Sequence, residues 1–549
     1  MNTKKLLGTT LALAMTIPSF GIANAAELFK NLKLSGQIDV DATSARNVLD
    51  FSTRQNFAPT AAANTGATAA ANSGNDRVSN VQTRLMLSLD WDLLDDVHSK
   101  ITLTKNDRSW GTVGGTGSGE NANSQPLGTG GAGNKGGTSN VLGSVYIDQA
   151  YFKVDKVFGG VDTTVGRQYY GEAGDSVIYI GPSDKPEYGN PTNAIDAARF
   201  DWSNDQFGVT GLAGQAAGQV AAVPAATIDI TGLVLSWKGN ENASGNIYTW
   251  NRETHATGAL GQDPSQLGLG AGNQIATGKN DNLYVTGAKI KLHAAGAWFN
   301  GQFDKNWGDN RVGGNITNTN LSNSMRYKGW EVLADAGYKA DVSGVGTITP
   351  WGSFGFGTGQ HDAHSNEGRG FQAISGDYRP GAIYGRFAPY TNGGAQPVGL
   401  GATSLGGNGA TNSLTNRVIT GLGLKVTPDA VKKLTVGVSV WDFHTQTVAA
   451  PVLPMNGAAA LGVSSVANGQ SAFNGNKHIG YEEDIEFGWK HSDNVNFGVT
   501  AGRFMPGGII SEGNQATGTQ GALKNAAGTV WGVGTNPAVL VAFDARVKF

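Results

Sequence analysis

The residues of this chain that could do chemistry are few and poorly grouped. His361 and His364 have a spacing that suits a metal ion, but only Asp362 and Glu367 accompany them in a polar, glycine-containing stretch. No metal site is therefore predicted. The chain has no cysteine, which excludes thiolate metal sites, cysteine nucleophiles and disulfides.

Other catalytic and cofactor motifs are also missing. Residues 272–280 end in Gly-Lys-Asn, where a phosphate-binding loop needs Gly-Lys-Ser or Gly-Lys-Thr, and the glycine spacing is one residue too long. Asp39 and Asp41 fit strand alternation better than a calcium loop, which needs glycine and glutamate at set positions. The chain contains no Gly-x-Ser-x-Gly elbow. We therefore predict neither an enzyme nor a bound cofactor.

Charged residues instead recur at every second position of short, otherwise apolar segments. In residues 539–549 the odd positions are apolar, whereas the even positions become charged at Asp544, Arg546 and Lys548. A strand with this period of two separates two unlike media. The same pattern recurs along the chain.

Short polar turns join these segments into hairpins. Each turn is rich in residues that accept the backbone angles of a tight reversal. The predicted turns lie at 94–97, 158–160, 203–206, 239–242, 294–296, 342–344, 428–430 and 492–494. These hairpins give sixteen strands, and a first strand near 32–41 and a last near 539–549 make eighteen.

Long connections, several of them low-complexity insertions rich in Gly, Ala and Asn, join one hairpin to the next. The insertions lie near residues 57–76, 111–140, 357–416, 448–476 and 506–537. Short turns on one side and long connections on the other are typical of a membrane barrel with an even strand count. The predicted fold is all-β, a transmembrane antiparallel up-and-down β-barrel with short periplasmic turns and long extracellular loops.

Composition and the first residues agree with this fold class. The formal net charge of −3 gives no reason to expect nucleic acid, and no apolar run after residue 25 is long enough for a membrane helix. Residues 4–25 contain a lysine pair, an apolar stretch and an Ala-Asn-Ala site, which predict a secretory signal peptide over 1–25. Residues 26–549 would then form one barrel, exported through the Sec pathway to the outer membrane.

Aromatic residues stand at both ends of the predicted strands. Tryptophan and tyrosine favour the headgroup level of a membrane, because their rings are apolar and carry a polar edge. We predict one aromatic girdle beside the short turns and another beside the long loops. The first contains Trp91, Trp202, Trp237, Tyr338 and Trp489, and the second contains Trp110, Trp250, Trp307 and Trp441.

If the apolar face of each strand meets lipid, the opposite face lines the lumen. Arg or Lys on the lipid face costs about 2–4 kcal/mol at the midplane, so the alternation is a strong constraint. The predicted pore-lining residues are Arg84, Lys100, Arg108, Arg199, Lys289, Lys291, Glu331, Asp335, Glu482, Asp484, Glu486, Asp544 and Arg546. They either solvate a water-filled wall or, at Glu482, Asp484 and Glu486, form an acidic stripe that orients polar solutes.

Two further arginines lie on the lipid face, each directly after a glycine. A glycine bulge before Arg167 and Arg503 would shift the register and turn both side chains into the lumen, so both are also predicted to line the pore. Coincidence in a glycine-rich chain explains the pattern equally well. In residues 146–154 the parity is ambiguous, since either choice places Asp148 or Lys153 on the wrong side.

Two segments resemble the alginate-export-like outer-membrane porins: residues 145–154 read VYIDQAYFKV and residues 164–171 read TVGRQYYG. The hairpin at 84–110 and the terminal Val-Lys-Phe are similar too. The resemblance covers about residues 77–210 and implies an 18-stranded porin. It also implies that Phe549 is the final aromatic by which the barrel assembly machinery recognises the last strand. The alginate exporter has a strongly basic lumen, whereas this chain carries both charge signs.

The predicted function is passive or weakly selective passage of small polar solutes or oligosaccharides through an outer-membrane porin. Two alternatives stay open: a surface-display or adhesion barrel whose loops plug the lumen, and a polysaccharide-export porin. The predicted partners are outer-membrane lipid, the barrel assembly machinery and small polar solutes or oligosaccharides. The sequence identifies neither the solute nor the oligomeric state.

Overall fold

Eighteen antiparallel strands form the wall of the molecule within the part of the chain that this computed structural model describes. The described residues are 31–48, 77–109, 145–182, 194–217, 227–255, 281–310, 325–359, 367–387, 414–447, 477–508, 523–524, 530–531 and 536–549. The predicted signal peptide, Trp110 and the insertions at 57–76, 111–140 and 448–476 lie outside them.

The wall strands follow one another in chain order. They are β1 Leu32–Arg46, β2 Arg77–Leu94, β3 Val97–Ser109, β4 Tyr146–Val157, β5 Val161–Gln168, β6 Ile195–Ser203, β7 Phe207–Ala217, β8 Thr227–Asn240, β9 Ala243–His255, β10 Asp281–Ala294, β11 Ala297–Asn310, β12 Trp330–Tyr338, β13 Gly346–Gly357, β14 Arg417–Pro428, β15 Leu434–His444, β16 His478–Lys490, β17 Val495–Pro506 and β18 Ala538–Lys548. Strand β12 continues as Ala340–Val342, and one helical turn, α1 Tyr384–Phe387, lies between β13 and β14. Among the described residues, no helix is both long enough and apolar enough to span a membrane.

Each strand pairs with its neighbours in sequence, and the last strand pairs with the first. The seam between β1 and β18 runs from Arg46 opposite Val539 to Gln37 opposite Lys548. The wall is therefore closed, and the predicted 18-stranded antiparallel barrel is confirmed. An unpaired sheet edge in an apolar medium would leave each backbone polar group unsatisfied at a cost of several kcal/mol, so closure suits a wall with an apolar exterior.

The short turns of the described chain join the strands into hairpins at the predicted positions. Between β4 and β5, the φ angles of Phe158, Gly159 and Gly160 are 49°, 85° and 117°. Between β10 and β11, Ala295 and Gly296 have φ angles of 48° and 86°. Glycine adopts these left-handed angles without steric penalty, which is why it recurs where the chain reverses.

The outer face of the barrel is apolar, as the alternation predicts. In β18, Val541 is 56% exposed on the outside, whereas Leu540 and Ala542 are buried on the inside. The same alternation makes Leu34, Ile247, Leu422 and many other large apolar side chains exposed around the wall. A continuous exposed surface of this kind indicates a surrounding apolar medium.

A bulge in β4 resolves the ambiguous parity of residues 146–154. The pairing of β3 with β4 skips Asp148, so Ile147 and Gln149 lie opposite consecutive residues of β3. Asp148 is buried and accepts a hydrogen bond from Thr104 Oγ1 at 2.9 Å. Because the bulge shifts the register by one residue, Asp148 and Lys153 both face inward while Ile147 stays on the outside.

Replacing one outward residue with arginine tests the assignment of the two faces. Val438 is exposed on the outer face near the middle of β15, and Ser439 beside it faces inward. We expect Val438→Arg to lower the free energy of unfolding in lipid vesicles by about 2–4 kcal/mol, because arginine enters the hydrocarbon layer. The matched change Ser439→Arg should have a much smaller effect, and equal losses in a urea titration would contradict the assignment.

Candidate functional site: a lumen divided by two inward segments

Two connections fold into the lumen and pack against its wall. We name residues 169–182, after β5, segment A, and residues 367–387, after β13, segment B. Ile178 of segment A and Phe371 of segment B are buried in one apolar cluster with wall residues that point inward. Segment B also contributes Ile383 to a second cluster with residues of β14 to β18. Part of the inner wall is therefore dry and apolar.

Segments A and B join each other across the lumen through backbone hydrogen bonds. Tyr179 N–H donates to the carbonyl of Ser375 at 2.7 Å, and Ser375 N–H donates to the carbonyl of Val177 at 2.9 Å. Asp377 N–H donates to the carbonyl of Asp175 at 2.6 Å. These contacts form a partition that narrows the lumen.

Polar side chains of β10 to β12 hold segment A in place. Ser176 Oγ donates to Glu331 Oε1 at 2.6 Å and accepts a hydrogen bond from Gln302 Nε2 at 2.8 Å. Lys289 forms an ion pair with Asp175. Glu331 is fully buried, so this predicted pore-lining carboxyl group contacts segment A rather than open water.

Two carboxyl groups of β16 hold segment B. Glu482 accepts hydrogen bonds from the N–H groups of Ile383 at 2.5 Å and Tyr384 at 2.9 Å. Asp484 Oδ2 accepts one from Ala382 N–H at 3.2 Å. These donors lie at the start of α1, where backbone N–H groups have no partner within the helix. The predicted acidic stripe is therefore covered at its first two positions, and only Glu486 is half-buried.

A glycine lets segment B approach Glu482. Gly381 has a φ of 76°, and a Cβ atom on it would lie 2.8 Å from Glu482 Oε2. Any other residue would be strained there and would meet the carboxylate. The local sequence of segment B therefore matches the position of the acidic side chain beneath it.

A buried ion pair connects segment B to β1, and a buried hydrogen bond connects it to β14. Arg386 Nη1 lies 2.9 Å from Asp41 Oδ2 and donates to Thr43 Oγ1 at 2.5 Å. Arg417 Nε donates to the hydroxyl of Tyr384 at 2.6 Å. Removing one partner of a buried pair leaves the other charge without compensation, so these contacts fix the position of the segment.

The barrel seam contains a second buried network. Asp39 of β1 is almost fully buried between Arg84 Nη2 at 2.8 Å and Arg546 Nε at 2.6 Å. Both arginines face inward. The carboxylate lies within hydrogen-bond distance of both guanidinium groups at the strands that close the barrel, so each arginine has an acidic partner although the three groups together keep one positive charge.

The part of the inner wall that stays partly open to water carries paired charges. We name this set the polar strip: Asp90, Lys100, Lys153, Asp162, Arg199 and Asp201. Its ion-pair distances are 3.0 Å for Lys100–Asp90, 2.9 Å for Lys153–Asp162 and 2.7 Å for Arg199–Asp201. The side chains are 27–40% exposed. The strip therefore offers many hydrogen-bonding groups but little unbalanced charge.

Segment A reaches the polar strip at Tyr170. The guanidinium carbon of Arg199 lies 5.5 Å from the centre of the Tyr170 ring, which also packs edge-on against Trp250 at 5.0 Å. Burial raises the pKa of Tyr170 to about 12, so its hydroxyl stays neutral. Tyr170 therefore forms an uncharged boundary between the partition and the strip.

Of the other predicted pore-lining residues, three face inward and the side chain of one is not described. Lys291 faces inward and lies 3.2 Å from Glu172 of segment A. Asp335 faces inward opposite Ser353, and Asp544 lies opposite Asp41 on the same inner face. Arg108 belongs to β3, but its side chain lies outside the described part of the chain.

The structure does not turn Arg167 and Arg503 into the lumen. The register through both residues is continuous, so no extra residue changes the face on which they lie. Arg167 lies on the outer face, with Nη1 3.1 Å from Asp196 Oδ2. Arg503 is exposed on the outer face opposite Glu483. Gly166 has a positive φ of 126°, which glycine adopts without steric penalty, and the pairing of the strand is not altered there.

Six of the predicted girdle residues face outward. Five of them lie beside the short turns: Trp91, Trp202, Trp237, Tyr338 and Trp489. The sixth, Trp307, lies beside the long connections. Trp307 stacks on Tyr284 at 4.0 Å, and Trp330 stacks on Phe356 at 4.8 Å. Tyr284, Trp330 and Phe356 also face outward and extend the second girdle, although the sequence analysis did not predict them as girdle residues.

Trp250 and Trp441 point inward, which corrects their prediction as girdle residues. Trp250 is 2% exposed and lies opposite Gly232, while Trp441 lies opposite Gly421. Both glycines leave the space that the large rings occupy. Counting the alternation from Ile247 would have placed Trp250 inside, whereas its position beside a long connection did not determine the face.

Comparison with known proteins gives no family for the chain. No family model and no curated protein matches it. Solved structures similar to it include Pseudomonas putida OprB, at 12% identity and a TM-score of 0.42, with 96% of each chain covered. Pseudomonas aeruginosa OccK8 (OprE) has 8% identity and a TM-score of 0.46 over 95% of this chain and 99% of that one. The Acinetobacter baumannii outer membrane channel DcaP has 10% identity and a TM-score of 0.38 over 94% and 97%. These values are low, so we base the fold on the strand pairing alone.

The contacts of Glu482 predict that it fixes segment B. In Glu482→Gln, the amide presents one acceptor and one donor where the carboxylate accepts two N–H groups. Hydrogen bonds to charged groups contribute about 1.5–3 kcal/mol each. We therefore expect faster hydrogen–deuterium exchange of residues 381–387, by one order of magnitude or more, in an otherwise folded barrel.

Glu486→Gln is the matched control, because Glu486 lies on the same face of β16 but is only half-buried. It should leave exchange in segment B unchanged. Equal exchange in the wild type and in Glu482→Gln would show that this carboxylate does not hold the segment.

Proposed function

We propose that this protein is an outer-membrane porin for passive or weakly selective passage of small polar solutes or oligosaccharides. The observation that carries the proposal is the contrast between the two faces of one closed wall. The outer face exposes apolar side chains between two aromatic girdles, while the inner face carries the partly exposed charges of the polar strip. Such a wall separates lipid from enclosed water.

The partition supports a narrow passage. Segments A and B cover the inner faces of β6 to β10 and of β14 to β18 with apolar packing. The polar strip lies on β2 to β6, so the two regions meet at β6. We therefore place the passage between the partition and the strip, where solutes exchange hydrogen bonds with water for hydrogen bonds with side chains.

Charge pairing in the strip supports weak ion selectivity. Each lysine or arginine of the strip has an aspartate within 3.0 Å, so the strip produces little net field for either sign of ion. Neutral polar solutes with several hydroxyl groups suit such a surface. An anionic polysaccharide such as alginate would need unpaired basic groups, so the balance of charge favours neutral solutes.

Permeation through the reconstituted protein tests this function directly. We expect defined single-channel conductance in planar bilayers, a chloride-to-potassium permeability ratio near one, and entry of small sugars in a liposome-swelling assay. A purified and correctly folded barrel that neither conducts ions nor admits sugars would contradict the proposal.

Removing the aspartate partners of basic residues in the polar strip should create anion selectivity. The double variant Asp90→Asn/Asp201→Asn leaves Lys100 and Arg199 without their carboxylates. One uncompensated charge at about 4 Å in water contributes about 1 kcal/mol, so we expect the reversal potential to show up to about fivefold higher anion preference. Asp196→Asn is the control, because Asp196 is acidic but lies on the outer face. A shift with the control and none with the double variant would reject the strip as the passage wall.

A further inference from the structure

A cluster of two histidines and one aspartate lies at the end of β15 and β16 beside the long connections. Asp442 and His444 belong to β15, and His478 is the first residue of β16. A register shift after Phe443 places His478 directly opposite His444. Asp442 and His444 share the outer face with Val440, so the cluster lies outside the lumen.

The three side chains already converge. His444 Nε2 lies 3.0 Å from Asp442 Oδ2, and His478 Nε2 lies 3.2 Å from Asp442 Oδ1. The ring centres of the two histidines are 4.8 Å apart, and one ligand atom from each residue lies within 4.8 Å of the others. The side chains are 22–36% exposed and lie at the strand ends beside the long connections, where an ion could reach them from the water outside the membrane.

The donor set and the spacing fit a transition metal. Zinc binds imidazole nitrogen and carboxylate oxygen at about 2.0–2.2 Å, which separates neighbouring ligand atoms of a tetrahedral site by about 3.3 Å. The two nitrogen–oxygen distances, 3.0 Å to Asp442 Oδ2 and 3.2 Å to Asp442 Oδ1, are close to that value, so each histidine lies near one of the two carboxylate oxygens. We infer that Asp442, His444 and His478 form a binding site for a divalent transition-metal ion such as Zn²⁺, with at least one coordination position left for water.

The surrounding backbone fixes the spacing of the ligands. Thr445 N–H donates to the carbonyl of Lys477 at 2.8 Å, which ties the two strands together beyond the cluster. The ring of Tyr481 lies 4.3 Å from that of His478 and limits its rotation. Ile479, the extra residue at the register shift, is fully buried. The site therefore needs only small side-chain movements to bind an ion.

Metal titration of the complete protein, folded in detergent and stripped of metal, tests the inference. Isothermal titration with Zn²⁺ should show saturable binding that is weakened at least tenfold by His444→Gln and by His478→Gln. The matched control is His361→Gln/His364→Gln, which removes the other histidine pair with metal-like spacing. This control should keep the saturable site. Absence of saturable binding in the wild type would overturn the inference, as would loss of binding in the control with retention in His444→Gln.

Cobalt spectroscopy keeps the test independent of how well the variants fold. Co²⁺ added to the wild-type protein should give the visible absorption of a four- or five-coordinate ion with nitrogen and oxygen ligands, and Zn²⁺ should displace it. Asp442→Asn should weaken this absorption while the heat-induced shift of a folded barrel on gels is retained. A spectrum of fully hydrated octahedral Co²⁺ in the wild type would contradict the site. None of these readouts depends on permeation.

Discussion

The hydrogen-bond closure of the wall is the constraint on which the rest of the structure depends. The outer face exposes mainly apolar side chains to an apolar medium, so each strand must satisfy its backbone through its two neighbours. Pairing of β1 with β18 completes that requirement. Once the wall is closed, the period of two assigns every side chain to one of two environments, and the charged residues of most strands have only the inner one available.

The inner environment is organised by pairing rather than by free charge. Asp39 joins two arginines at the seam, Asp41 meets Arg386, and the polar strip matches bases with acids. Buried carboxylates such as Glu482 hold the inward segments by accepting their backbone N–H groups. The same residue types therefore have two roles: they fix the partition on one side of the lumen and line the proposed passage on the other.

The sequence could predict the strands, the turns and the outer face, because these depend on local period and turn chemistry. It could not predict the partners of the inner charges, because alternation determines a face but not a register. Asp148 and His478 show the limit: each lies at a bulge that only cross-strand pairing reveals. The sequence also could not predict that segments A and B fold inward, because glycine-rich connections carry no periodic signal. The prediction for Trp250 was wrong because it used the position of the residue beside a long connection and not the alternation of faces along the strand.

Spin-label accessibility at adjacent positions tests the assignment of the two faces most directly. The chain has no cysteine, so Lys100→Cys and Ile101→Cys each provide a single attachment site, the first facing inward and the second outward. In lipid vesicles, the label at position 101 should relax with oxygen dissolved in the hydrocarbon, whereas the label at position 100 should relax with a water-soluble nickel complex. Equal access of the nickel complex to both labels, or the reverse order, would contradict a barrel with a lipid-facing exterior and a hydrated lumen.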